Sequence, residues 1–120
     1  MSHLVSIKTQ VKDPAAVLAG CRRLQWPEPQ HRTVELYRRE VTGLAVELPG
    51  WNYPVVCDIP TGELQYDNFN GIWGDEIQLH KFLQAYAVEK AKIEARRQGH
   101  SVQEQALPDG SIRVQIAVAG

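Results

Sequence analysis

Residues 75–98 read DEIQLHKFLQAYAVEKAKIEARRQ, the longest stretch of the chain with an unbroken helical pattern. Leu79, Phe82, Leu83, Tyr86 and Ile93 are spaced to gather on one side of a helix of about 3.6 residues per turn. Both ends are marked. Asp75 is suited to cap the N-terminus, with Gln78 completing a capping box, and Gly99 stands where a helix end calls for a left-handed residue. Asp75 and Glu76 at the start and Arg96 and Arg97 at the end complement the helix dipole. A helix of this length spans about 36 Å, enough to cross a small sheet.

Working toward the N-terminus, residues 67–74, DNFNGIWG, are turn chemistry leading into this helix. Before them, Tyr53, Val55, Cys57 and Ile59 share one face of an extended run, and Pro60, Thr61 and Gly62 turn it into a second strand over 63–66. Pro54 lacks a ladder donor, so the first of these strands should begin after it or lie at a sheet edge. Residues 33–48 are also extended, and Thr42 with Gly43 suggests a tight turn between two strands. Residues 4–11 alternate and read as one strand, with Val5, Ile7, Thr9 and Val11 on one side. Asp13 then caps a short helix opened by Pro14 and striped by Val17, Leu18, Cys21 and Leu24. Trp26, Pro27, Glu28 and Pro29 end it.

Beyond the long helix, Leu107, Pro108, Asp109 and Gly110 make a turn, after which Ile112, Val114, Ile116 and Val118 alternate with polar or small residues. Residues 101–106 supply the partner strand. The expected order is β-α-β-β-β-β-α-β-β. This is a single α+β domain with an antiparallel sheet of five to seven strands and two helices on one face.

A chain of 120 residues suits one domain. Thirteen Lys and Arg against fourteen Asp and Glu leave a net charge of -1, so overall charge offers no attraction to nucleic acid or to an anionic membrane. No apolar run approaches the roughly 20 residues that span a bilayer, and the N-terminus lacks the organisation of a signal peptide. A cytoplasmic location is the expectation. Cys21 and Cys57 are too far apart for a CxxC pair and read as two buried thiols.

The ends of the chain resemble a known family. MSHLVSIKTQ at the start, AYAVEKAKIEARRQGHSVQEQ in and after the long helix, and LPDGSIRVQI near the end resemble the family called hypothetical chloroplast reading frame 35, a domain of unknown function with bacterial members. The resemblance covers about half of the chain, and residues 30–60 depart from the family pattern. Tyr66, Asp67, Trp73 and Gly74 resemble its tryptophan-bearing turn before the second helix. The family has no established activity and no catalytic residues to carry over. Its genes often lie near those of AAA-type ATPases or small ferredoxin-like proteins, which implies an accessory role beside such a partner.

The chemical inventory points the same way. His3, His31, His80 and His100 include no pair at HExxH or HxH spacing, so no metal site is expected. Counting a calcium loop from Asp67 places Phe69 and Gly71 where ligands belong. Asp75 and Glu76 would repel an anion at the N-terminus of the long helix. Ser2, Ser6, Ser101, Ser111 and Cys21 carry no nucleophile motif. No cofactor and no enzymatic activity are expected on these grounds.

Two features favour binding. Trp26, Trp51, Tyr53, Phe69 and Trp73 lie largely in loops, where a tryptophan either plugs the core or meets a partner, and Trp51, Tyr53, Phe69 and Trp73 are the candidate partner-binding set. Lys90, Lys92, Arg96 and Arg97 form a candidate basic patch at the end of the long helix. The reading is a small accessory or adaptor protein for a protein partner. The alternatives are weak nucleic-acid binding by the basic patch and a small-ligand pocket between sheet and helices. Unpaired sheet edges leave homo-oligomerisation open.

Overall fold

The computed structural model describes residues 4–36 and 38–119. The opening Met-Ser-His, and with it the readings made for Ser2 and His3, lies outside the described residues, as does Tyr37. The elements run β1 (Val5–Lys8), α1 (Pro14–Leu24), β2 (Gln30–Leu36), β3 (Arg39–Val46), β4 (Val55–Asp58), β5 (Glu63–Tyr66), a 3-10 turn (Phe69–Gly71), α2 (Glu76–Arg97), β6 (Ser101–Ala106) and β7 (Ile112–Ala117). This is the α+β order the sequence implies.

The helix ends follow from local chemistry. The Asp13 carboxylate accepts the Ala15 N–H at 2.9 Å, and Pro14 begins α1 where its missing N–H has no partner to lose. Asp75 likewise accepts from Ile77 at 2.9 Å to start α2. Gly99, at φ 80°, ends α2, and the His100 N–H reaches back to the Ala95 carbonyl while that of Gly99 reaches Arg96.

Five strands form one antiparallel sheet in the order β1-β5-β4-β3-β2, and β6 and β7 form a second sheet of their own. Strands β2 to β5 are a meander, while α1 carries the chain between the two edges, β1 and β2. Both helices pack on one face. There Val17 and Cys21 of α1 and Leu79, Phe82 and Tyr86 of α2 meet Val46, Val55, Cys57, Leu64 and Tyr66 of the sheet. The opposite face has a smaller cluster of Val34, Leu36, Val41, Ala45 and Val56, with Leu4 and Tyr53 packed against it. Alternation along β4 therefore sends Val55 and Cys57 to one core and Val56 to the other.

Two local expectations are corrected. Thr42 and Gly43 do not turn the chain; they lie within β3, and the reversal falls between Leu36 and Arg39, which face each other. The Thr42 hydroxyl meets that of Thr33 across the ladder at 2.7 Å. A Cβ on Gly43 would stand 2.6 Å from the Cys57 carbonyl oxygen, so this glycine serves a close backbone approach. The first strand ends at Lys8 although Val11 is buried. Thr9 explains why: its N–H and its hydroxyl both bond the Gly62 carbonyl, and the hydroxyl also accepts the Val11 N–H.

The main sheet has five of the expected five to seven strands, and β6 and β7 make a two-stranded sheet beside it. They lie along α2, held where the Gln84 amide donates to the Gly110 carbonyl at 3.0 Å and where Glu104 meets Arg23 and Lys92, each at 2.6 Å. Alternation announces a strand but not the sheet it joins.

Candidate functional site: an aromatic loop before the long helix

The segment between β5 and α2 is fixed by its own polar groups. Asp67 Oδ1 accepts the Phe69 N–H at 3.1 Å, and the Asn68 side-chain amide donates to the Gly74 carbonyl at 3.2 Å. The Asn68 carbonyl accepts from both Gly71 and Trp73. Phe69, Asn70 and Gly71 have φ values of 46°, 54° and 93°, three left-handed residues in succession. That conformation costs about 1–2 kcal/mol for a residue such as Phe69 and persists only where the surroundings impose it. Asp67 is fully buried, and its Oδ2 has no hydrogen-bond partner among the described residues. A strained backbone beside an unsatisfied carboxylate oxygen is more typical of a functional segment than of a plain connection.

The aromatic side chains assemble on this frame. Phe69 stacks on Trp73 with centroids 4.6 Å apart, and Tyr53 meets the other side of the cluster edge-on to Trp73 at 5.8 Å. Trp51 stands edge-on to Tyr66 at 5.6 Å, and its indole N–H donates to the Asp75 carbonyl at 3.0 Å. The Asn52 N–H bonds the Trp73 carbonyl at 2.9 Å, joining the two loops. Burial first, and the Glu76 carboxylate second, push the Tyr66 phenol above its usual range.

Trp51, Tyr53, Phe69 and Trp73 are thus brought together, each half-buried. Trp51 packs against the main core, as Trp26 does, and Tyr53 against the smaller one. Two residues of this surface escape a reading built on aromatics. Ile72 is 71% exposed and Ile77 57% exposed. Their signal in the sequence is misplacement: Ile72 is an aliphatic residue in a turn-forming run, and Ile77 falls off the apolar face of α2.

The basic residues are not a free patch. Lys90 is held by Asp13 at 3.0 Å and Glu94 at 2.8 Å, Lys92 by Glu104 and Glu89, and Arg97 by Glu94 at 3.0 Å. Hydrogen bonds donated to Glu94 and Asp13 push the Lys90 ammonium above its usual range, and one donated to Glu104 does the same for Lys92. Among the four, Arg96 alone makes no ion pair within the described residues.

A groove of about 690 Å³ runs between residues 9–12 and α2, floored by Leu83, Tyr86, Ala87 and Ala91. Cys21 and Cys57 are both fully buried, and burial pushes their thiols up to about 11 and about 12. Among the described residues, no three His, Cys, Asp or Glu side chains gather to hold a metal, and no helix is long and apolar enough to cross a membrane. Compared with protein families, with curated proteins and with solved structures, the chain matches none.

Proposed function

We propose that this chain is a small non-enzymatic accessory or adaptor module that binds a protein partner through the aromatic loop. The observation that carries the reading is the exposure of Ile72 and Ile77 beside a cluster whose backbone is already locked. Large aliphatic groups held out on a rigid, aromatic-backed surface lose little entropy on docking, and such surfaces are enriched at protein interfaces. Asp75 and Glu76 are exposed next to them, which favours a partner presenting an apolar pocket rimmed by Lys or Arg. The resemblance of the chain ends to the plastid reading-frame family supports an accessory role and suggests an AAA-type ATPase or a ferredoxin-like protein as the class of partner.

A photo-crosslinking residue at Ile72, with Arg22 on α1 as the control position, tests this. One protein should be captured from Ile72 and not from Arg22, and Ile72→Asp should lose it without a change in melting temperature. Equal capture at both positions, or none at Ile72, removes the reading.

Nucleic-acid binding is less favoured because Lys90, Lys92 and Arg97 already meet carboxylates. A second reading, binding of a small apolar ligand, draws on the groove beside α2. Native mass spectrometry would reveal a retained molecule, and Ala87→Trp should expel it.

A further inference from the structure

We propose that a second copy of this chain pairs with the outer edge of β7, joining two β6–β7 hairpins into one four-stranded antiparallel sheet about a two-fold axis at Gln115. The argument begins with the direction of the backbone groups. Leu107 and Ser111 face each other beyond the ends of the strands, and the Leu107 N–H bonds the Ser111 carbonyl at 2.9 Å. In an antiparallel ladder, bonded and non-bonded pairs alternate. The pairs Gln105 with Arg113, Gln103 with Gln115 and Ser101 with Ala117 are therefore the bonded ones. Ile112, Val114 and Ile116 consequently point their N–H and C=O groups away from β6. Among the described residues β7 has β6 as its one strand neighbour, and no loop or turn hydrogen bond reaches these groups.

The side chains fit the same partner. Ile112, Val114, Ile116 and Val118 form one lane, in which Ile116 is 44% and Val118 72% exposed. Antiparallel pairing about Gln115 sets Ile112 opposite Val118 of the second copy and Val114 opposite its Ile116, so the lanes merge. Arg113, the one charge on β7, then faces Ala117, and no like charges meet. Pairing of identical edges closes on itself and needs no other chain.

The other strand edges suit this less well. β1 is four residues long and ends in Lys8, β2 carries His31, Arg32 and Glu35, and Glu104 of β6 is tied to Arg23 of α1. Charges and short length are the devices that keep edges apart. A two-stranded sheet is marginal alone, which gives β7 the most to gain from a third strand. One strand pair buries less than the roughly 1,200 Å² of a standard interface, so the dimer should be weak, dissociating in about the micromolar range.

Sedimentation equilibrium of the full chain across the micromolar range, with two variants, tests the proposal. The average mass of the wild type should rise toward that of a dimer. Ile116→Pro removes an outward N–H without touching the β6 ladder, so it should keep the folded circular dichroism spectrum and stay monomeric. Gln115→Cys places two thiols across the axis at a non-bonded pair about 4.5 Å between Cα atoms, within disulfide reach. Under mild oxidation it should form a covalent dimer much faster than Gln105→Cys, on the outer face of β6. Dimerisation of Ile116→Pro as strong as wild type overturns the proposal, as do equal oxidation rates for the two cysteine variants. A wild type monomeric throughout overturns it as well, unless Gln115→Cys crosslinks ahead of Gln105→Cys.

Discussion

The indole of Trp51 lies directly over Gly74: a Cβ on Gly74 would stand 2.3 Å from Cδ2 of the ring and 2.6 Å from Cε2. These are rigid atoms in the middle of a ring whose N–H is also bonded to the Asp75 carbonyl. Neither side can give way without moving the entry to α2. Gly74→Ala should therefore destabilise the protein by about 1–3 kcal/mol, the usual cost of overpacking. A lower urea midpoint together with a shifted tryptophan emission checks this, and an unchanged midpoint would show that the ring moves freely.

Tyr86 holds the link between β1 and α1. Its hydroxyl accepts the N–H groups of Lys12 and Asp13, each at 3.1 Å, and donates to the Gln10 carbonyl at 3.2 Å. Tyr86→Phe leaves all three groups without this partner, for an expected loss of about 1–3 kcal/mol. Amide exchange should quicken first at Lys12 and Asp13. A denaturation midpoint equal to wild type would mean that water replaces the hydroxyl at no cost.

Glu104 makes the docking of the hairpin depend on acidity. Hydrogen bonds from Arg23 and then Lys92 hold its carboxyl down from an ordinary 4.5 to about 2. A folded-state value below the unfolded one adds stability that is present above the unfolded value and is lost as pH falls through the folded value. Hairpin protection in amide exchange should thus decline between about pH 4.5 and pH 2. Glu104→Gln should be less stable near neutrality and lose less over that interval. Parallel pH profiles for the two proteins would count against a role for this carboxylate.

The thiols supply a probe of global opening. Cys21 and Cys57 sit in the main core with their thiolate forms disfavoured by burial. Neither should react with a thiol reagent at pH 8 while the chain is folded, and both should react at once in denaturant. Rapid labelling of one of them in the native state would reveal local opening between α1 and β4.

Much of the fold is legible in the chain. The limits of α1 are readable because Asp13, Pro14 and the Trp-Pro-Glu-Pro run act on their immediate neighbours. The same is true of α2, whose caps Asp75 and Gly99 need only a few residues of context. Gly43 is the counter-example. In sequence it is indistinguishable from a turn glycine, and only the Cys57 carbonyl, fourteen positions on, shows why no Cβ fits. Lys90 and Lys92 follow the same rule, since the carboxylates of Asp13 and Glu104 that engage them come from distant parts of the chain.

Pattern and capping chemistry determined the order of elements and the apolar face of each helix, because each depends on interactions within one or two turns of chain, whereas the meeting of Tyr53 with Trp73 joins loops twenty residues apart. Tertiary structure decided the rest: that β6 and β7 stand apart from the main sheet, that β4 is buried on both faces, and that Ile72 and Ile77 remain in water beside locked aromatic rings. Those outcomes depend on which distant surfaces meet, and a period of two or of 3.6 in the sequence marks a face without specifying what covers it.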